Sequence, residues 1–560
     1  MGPEPSLRIG ILCNGHLFQR WQAEAIRHVL SVPGVGIELL VIDARVNDPS
    51  YKPPKAPIGQ FLYRQFRKRF FRPGAMRMED LSAELGRVEA INSDPDRKGH
   101  REFFDKATLD RIKEKKIDVL LRFGFNILAG DILQAARFGV WSFHHGDETE
   151  FRGGPPGFWE IMKGSRITGA ILQRLTEKLD GGQVLRKGWF QTIDHSLEET
   201  VDTVLSHSAI WPAQVMREIM AGRPETATGV AAERTGELYR YPGNTVLLHF
   251  LWKLFRNKIR FHRREMSEHE EWNIGVLYQP IHVLLDPDAG LNIRWLPTPS
   301  PDNFRADPFG YLTDEGTLNV LYEKYDHRTG RGEISRVRPR KDSVLKRSRT
   351  MLSAGGHISY PYVVQRDGEV YMIPENAASG KVDLYRINKE NDGVDHLRTL
   401  LEEPLFDPTI LEFGGRWWLF GTRSPLTNVA LHVFHSDRFE GPYRPHCLNP
   451  VKFDIRSARP AGTPFIHEGR LYRPAQDNSN TYGGRIAINE IVELAPDRFE
   501  ERTITFVGPM KGTMYDKGFH TVCAVGDITL VDGKRFMTNA TRRSEVKKRK
   551  LERLKRSARS

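Results

Sequence analysis

IDVLLRFGFNILAGDILQAARFGVWSFHH, residues 117–145, decides how the first third of the chain is read. An apolar run (IDVLLRFGF), a helix-like segment (GDILQAAR) and a second apolar run ending in two histidines (VWSFHH) follow one another with short joints. That is the strand–helix–strand pattern of a parallel, helix-covered sheet. Upstream, LRIGILCN (7–14) and GIELLVIDA (36–44) read as buried strands, with FQRWQAEAIRHVL (18–30) as the helix between them. A polar, basic insertion spans roughly 45–100 and contains RQFRKRFFRPG. Downstream, ITGAILQRL (167–175) predicts a further strand and SLEETVDTVLSHSAIWPAQVMREIMAG (196–222) one long helix. The expectation is an α/β, Rossmann-like domain over residues 1–225.

The 560 residues allow two to four domains, and 39% hydrophobic with 28% charged residues is ordinary for globular protein. The net charge of +12 points to anionic partners. Part of it is local: the last twenty residues, TRRSEVKKRKLERLKRSARS (541–560), carry ten Lys or Arg against two Glu and read as a solvated tail. Cys13, Cys447 and Cys523 are far apart, which argues against a disulfide framework and a structural zinc site, so no metal is expected. With no signal-peptide pattern and no apolar run of spanning length, the expected compartment is the cytoplasm, with peripheral contact at the inner face of the membrane as an option.

That option rests on residues 226–271, read as a linker. NTVLLHFLWKLFRNKIRFHRR (244–264) is apolar first and then basic. It fits a helix packed between domains. It also fits an in-plane helix with Trp252 and Phe255 in lipid and Arg256, Lys258, Arg260, Arg263 and Arg264 at the headgroups.

From about 272 the pattern turns all-β and repeats. DPFGYLTDEGTLNVLYEKY, YPYVVQRDGEVYMIPEN, DPTILEFGGRWWLFGTR, TPFIHEGRLYRPAQD and AVGDITLVDGKRFMTNA each pair two strands across a Gly-containing turn. They start near 307, 361, 407, 463 and 524. A hairpin-built repeat of about fifty residues is the mark of propeller blades, and five repeats predict an all-β five-bladed propeller over 272–540.

Chemistry concentrates after residue 140. His144 and His145 end a strand, so their side chains point to opposite faces, and one can meet a cleft beyond the strand's carboxyl end. Asp180, in LTEKLDGGQVL, lies on a turn that could return over the same cleft. A histidine with a carboxylate can shuttle protons in acyl transfer.

Five motifs in order resemble the formyltransferase family, which includes the methionyl-tRNA, glycinamide ribonucleotide and sugar N-formyltransferases. They are Ile127-Leu128, Ser142-Phe143-His144, Arg152-Gly153-Gly154-Pro155-Pro156, Thr168-Gly169 and Leu179-Asp180-Gly181-Gly182. The resemblance covers about residues 7–222. It implies transfer of a formyl group from 10-formyltetrahydrofolate to an amine. His144 would polarise the formyl carbonyl, and Asp180 would raise the histidine's pKa and relay the amine proton. Phe125, Asn126, Ile127 and Leu128 would read the pterin ring, with Leu175 to Asp180, and Gly181 beside them, closing the pocket. The family's catalytic asparagine is Ser142 here. Losing one oxyanion donor typically costs roughly 10²–10³ in rate, so either the site has adapted, with His145 or Asn126 substituting, or it is impaired. The family's tRNA enzymes carry a small barrel after the catalytic domain. The propeller pattern instead favours a small-molecule amine, an amino sugar of a nucleotide sugar or surface glycan, over nucleic acid.

In the second half ADPFG, HISYPYVV, YMIPEN, FDPTIL, RPAG and LYRPAQDNSNTYGG resemble the N-terminal propeller of plant glucosamine inositolphosphorylceramide transferases, and more remotely five-bladed glycosidases. Asp307, Glu375, Asp407, Asp477, His357, Arg459, Arg473 and His520 fall at strand ends where they could line a channel and bind a glycan. The glycosidase resemblance makes Asp307, Asp407 and Glu375 candidates for base, modulator and acid by position. A sugar-binding site without hydrolysis is the favoured reading.

Overall fold

The computed structural model describes residues 6–46, 57–178, 181–231, 235–300, 302–339, 348–388 and 393–538. Leu179, Asp180 and the basic stretch 541–560 lie outside the described residues. The chain divides into two compact units, Met1–Arg260 and Phe261–Ser560.

The first unit is built on an eight-stranded sheet in the order 230–231, 183–191, 167–174, 140–144, 119–122, 7–13, 35–43, 89–93. The five strands from 140–144 to 89–93 run parallel. Leu7–Cys13 lies among them, flanked on both sides, and Ile9, Ile11 and Leu12 are fully buried. Gly10 in this strand admits the Leu120 side chain, which would stand 2.7 Å from a Cβ there. Because the chain winds one way from this strand and then the other, a crevice opens at the strands' carboxyl ends.

Four local expectations change. The sheet is mixed, since Ile167–Arg174 joins Val140–His144 antiparallel and pairs antiparallel with Gln183–Gln191. GDILQ forms only a short 3-10 turn, Gly130–Gln134. The long helix is two, Leu197–Ser208 and Trp211–Met220, because Pro212 lacks the N–H that would continue the first and suits the opening turn of the second. The basic insertion supplies an edge strand, Glu89–Ser93, and a helix, Phe61–Arg69. Leu247 and Phe250, on the helix Asn244–Ser267, belong to the core of the first unit with Trp21, Tyr63, Phe158 and Leu205.

The second unit holds five antiparallel sheets of four or five strands. All five expected hairpins are present, at 303–312/318–326, 359–366/369–375, 406–413/416–422, 465–467/470–477 and 522–525/528–538. Four are extended by the strands that follow them. The last is extended by strands from the unit's beginning, for Glu268–Leu277 pairs residue by residue with Thr529–Thr538. One apolar core joins four of the sheets through Ile274, Phe309, Tyr360 and Leu419.

Candidate functional site

In the first unit, residues 126–128, 142–144 and 173–178 surround a cavity of about 170 Å³. It sits where the parallel strands 119–122 and 140–144 end. Ser142, His144, Asn126, Ile127, Leu128 and Leu175 all line it, so six of the predicted residues meet, with Phe143 and Arg122 beside them. Phe125 instead packs on Phe104, ring centroids 4.9 Å apart, at a left-handed φ of 63° that turns the loop. Gly181 holds the adjoining turn, its carbonyl accepting from Thr176 Oγ1 at 2.8 Å. Arg101, Gln173, Thr176, Glu177, Lys178 and Gly182 complete the wall.

The two histidines part as alternation requires. His144 lines the cavity, whereas His145 packs against Trp21 and stacks on Phe143. Burial pushes the His145 pKa down to about 3, so it is a neutral core residue. It does not replace the missing asparagine. Neither does Asn126. Its backbone N–H and its side-chain amide both donate to Glu102, at 2.8 and 2.7 Å. Glu102 is fully buried and also takes Arg45 Nη1 at 2.7 Å. Burial opposes ionisation of Glu102, but Arg45 and the Asn126 donors outweigh it and hold its pKa below the usual carboxylate value. Ile127–Leu128 is further fixed by parallel pairing with Arg101–Glu102. The loop is therefore held through both its backbone and the Asn126 side chain.

Ser142 is instead met by Arg122. Arg122 ends the strand Val119–Arg122 and is the register partner of Ser142 on the neighbouring strand. Its Nη1 donates to Ser142 Oγ at 2.9 Å, and its Nη2 donates to the Asn126 carbonyl at 2.6 Å. Its buried Nε has no partner among the described residues. Burial lowers the pKa of this guanidinium and Glu102 opposes the shift. Arg122 thus borders the cavity beside Ser142. The visible signal was a charged residue closing the apolar run IDVLLR.

In the second unit a polar centre forms from side chains of all five sheets. It depends on a repeated backbone feature. Asp307, Tyr360 and Asp407 each precede a proline, each has φ between 44° and 51°, and each interrupts its ladder at the same place in consecutive hairpins. Such strain costs of order 1–3 kcal/mol per residue and persists only where the surroundings impose it. Asp407 is clamped by Arg459, with Nε to Oδ2 at 2.5 Å and Nη2 to Oδ1 at 3.1 Å, and by Gln476 at 2.7 Å. Glu375 accepts the Asp407 N–H at 3.0 Å. Tyr360 donates to, or accepts from, Thr409 at 2.8 Å and accepts the Gly462 N–H at 2.7 Å. His520 Nδ1 lies 2.6 Å from Asp532, and its Nε2 lies 3.6 Å from Asp307.

Burial pushes Asp307 up to about 6 against the pull of His520. Burial, together with the neighbouring carboxylates, drives Glu323 and Glu375 well above the usual range. Burial disfavours the His520 imidazolium, but Asp532 and Asp307 outweigh it and raise its pKa. The ligand-type atoms of Asp307, His520 and Asp532 lie within 4.8 Å of one another. However, their carboxylates already accept from Thr521 Oγ1 and from the backbone N–H groups of Asp307, His520 and Thr521, which marks a buried ion-pair network rather than a vacant ligand set.

Two of the predicted channel residues are placed otherwise. Arg473 pairs with Glu501 at 2.6 Å and caps the carbonyls of Ser457 and Ala458, so it is structural. Asp477 holds the turn at Ser479 and the side chain of Arg485. His357 reaches the centre at its edge, 3.5 Å from Glu323. Sequence reasoning missed Glu323, Asp532, Gln476 and Tyr360. For Tyr360 the signal was there: YPY occupies the same repeat position as the two DP pairs.

The family described as glucosamine inositolphosphorylceramide transferase 1, N-terminal, matches residues 296–520. Glucosamine inositolphosphorylceramide transferase 1 of Oryza sativa subsp. japonica is 34% identical over 208 residues, 36% of this chain and 28% of that protein. The N-terminal part is weakly similar to formyltransferases. The bifunctional polymyxin resistance protein ArnA of Wigglesworthia glossinidia brevipalpis is 32% identical over 78 residues, 14% of this chain and 12% of that one. Methionyl-tRNA formyltransferase of Prochlorococcus marinus (strain MIT 9215) is 31% identical over 78 residues, 14% and 24% of the two chains. The chain thus spans no more than about a third of the length of these relatives.

Proposed function

We propose that the first unit is an N-formyltransferase that moves a formyl group from 10-formyltetrahydrofolate to an amine, most readily that of an amino sugar on a nucleotide or surface glycan. In the same reading the second unit is a five-bladed propeller whose polar centre binds the glycan. One observation carries the first part: His144, the Asn126–Leu128 loop and Leu175 converge on one cavity at the ends of two parallel strands. The weak formyltransferase similarity of the N-terminal part supports it. Five sheets, one of them made from both ends of the unit, and the likeness to a glucosamine transferase region support the second.

The cavity's chemistry fits the donor. Ile127, Leu128 and Leu175 offer apolar contact for a flat ring, and the buried Arg122 Nε is an unused donor. The donor supplies the activated formyl group: its C–N bond breaks as one to the amine forms, and the proton lost by the amine balances the one gained by tetrahydrofolate. His144 is positioned on the cavity wall to move that proton. Arg122 and Ser142 present N–H and O–H groups where negative charge develops, the task given elsewhere to an asparagine amide. Glu102 keeps the Asn126 loop in place through the cycle.

Sugar binding is favoured over hydrolysis in the second unit because the Arg459 and Gln476 clamp leaves Asp407 engaged. Calorimetric titration with 5-formyltetrahydrofolate, followed by turnover with amino-sugar acceptors, tests the reading. Micromolar binding and turnover that vanishes in His144→Ala are expected. No binding at millimolar ligand would overturn it.

A further inference from the structure

An apolar stripe faces outward on the helix Asn244–Ser267. Leu247, Phe250 and Asn257 are buried in the first unit, while Leu248, Trp252, Phe255 and Ile259 are 57%, 56%, 63% and 45% exposed. At 3.6 residues per turn these four fall within about 60° of one another, on the side away from the core. A helix on a globular surface normally presents polar residues there. The helix Phe61–Arg69 adds a second exposed apolar patch beside it, with Ile58 91% and Phe61 53% exposed. Asn244 ties the two segments together: its Oδ1 accepts the Leu62 N–H at 2.9 Å, and its Nδ2 donates to the Ile58 carbonyl at 3.4 Å.

Within the two segments that carry these patches the charge has one sign. Residues 58–72 and 244–260 contain nine Lys or Arg and no Asp or Glu. Lys253 and Arg260 are engaged with the Met162 carbonyl and Asp194. Arg256 and Lys258 are exposed and flank the stripe on its two sides, and the Arg256 guanidinium lies 4.9 Å from the Trp252 ring.

We propose that this face docks the protein on an anionic lipid surface, with the helix lying in the plane of the interface. Trp252 and Phe255 enter the headgroup–acyl boundary, and Arg256, Lys258 and the cations of 64–72 meet lipid phosphates and carboxylates. No described helix is long and apolar enough to cross a membrane, so the helix lies on the bilayer. A second copy of the chain fits less well, because a helical seam pairs flanking charges of opposite sign and these flanks would repel. Nucleic acid would take the cations but would leave Leu248 and Ile259 without a contact.

The test is flotation of the full chain with vesicles of phosphatidylcholine alone and of equimolar phosphatidylcholine and phosphatidylserine, at low and high salt. Binding to the anionic vesicles, weakened by salt, is expected. Trp252→Glu/Phe255→Glu and Arg256→Glu/Lys258→Glu should each lower partition about tenfold or more while leaving the thermal melt unchanged, since all four side chains are exposed. Both variants keep the basic stretch 541–560. Undiminished binding by them would assign lipid affinity to that stretch and overturn the proposal. So would absence of binding by the intact chain, including the case in which the stripe variants only dissociate a dimer or lose affinity for RNA.

Discussion

Arg122 and Ser142 face each other across two parallel strands, and the guanidinium donates to the serine hydroxyl at 2.9 Å. Ser142 is the residue that the formyltransferase resemblance matches to an asparagine. If the pair takes over the asparagine's work, Arg122→Gln will lower kcat by roughly 10²–10³ and leave 5-formyltetrahydrofolate affinity within a few-fold. Ser142→Ala and Arg122→Gln will be strongly non-additive, as groups acting as a unit are. Steady-state kinetics and calorimetry on the two single variants and the double variant decide this. Additive losses would separate the two residues.

Glu102 should set donor affinity without touching the donor's reacting end. It is buried and neutralises Arg45 while holding Asn126. Glu102→Gln removes one of the two carboxylates on Arg45, which stays paired with Asp43 through Nε and Nη2 at 2.7 Å. The weakened buried hydrogen bonds to Arg45 and Asn126 should cost about 1–3 kcal/mol and loosen the loop at Asn126. Denaturant unfolding should show the loss of stability, and titration should show weakened folate binding.

The Asp407–Arg459 clamp makes a parallel prediction in the second unit. Arg459→Ala strands a buried carboxylate and should destabilise by about 3–5 kcal/mol, whereas the joint Asp407→Leu/Arg459→Met change should recover much of that loss. Glycan binding should fail in both. Unfolding followed by tryptophan fluorescence, beside a glycan-binding assay, separates the two effects.

Tyr360→Phe removes the hydroxyl that accepts the buried Gly462 N–H. An unsatisfied buried donor costs about 1–3 kcal/mol, and the strained φ of 44° would lose one of the contacts that imposes it. A fall in the melting temperature with little change in formyl transfer is the expected result.

Glu160 gives stability a pH dependence. It is 1% exposed with one oxygen unpartnered, and burial raises its pKa from 4.5 to about 8. Between these values the native state keeps a proton that the unfolded chain has released. The contribution is therefore fully present below about pH 4.5 and is lost as pH rises towards 8, with a slope of at most ~1.4 kcal/mol per pH unit. Glu160→Gln should remove this slope, measured by urea unfolding across pH 5–8.

Much of this was legible in the chain itself. The strand–helix alternation and the hairpin repeat depend on local periodicity and turn chemistry, which short stretches specify, whereas the ordered residues around His144 were read from the resemblance to formyltransferases. A residue before proline recurs at one point of three repeats, but the left-handed φ at Asp307, Tyr360 and Asp407 was not legible, because a residue before proline favours extended backbone. Alternation alone separated His144 from His145.

The partners were not legible. That Asn126 is bound by Glu102, that Arg122 meets Ser142, that Arg473 belongs to Glu501, and that Asp532 meets Asp307 all involve residues 20 to 225 positions apart. No spacing rule reaches across such distances. The sequence by itself determined the central strands and the hairpin repeat, but not the 3-10 turn at Gly130–Gln134 or the helix and edge strand of the basic insertion. Only tertiary structure decided which charges meet, because pairing strength depends on separation and local dielectric, and both exist only once the chain has closed around them.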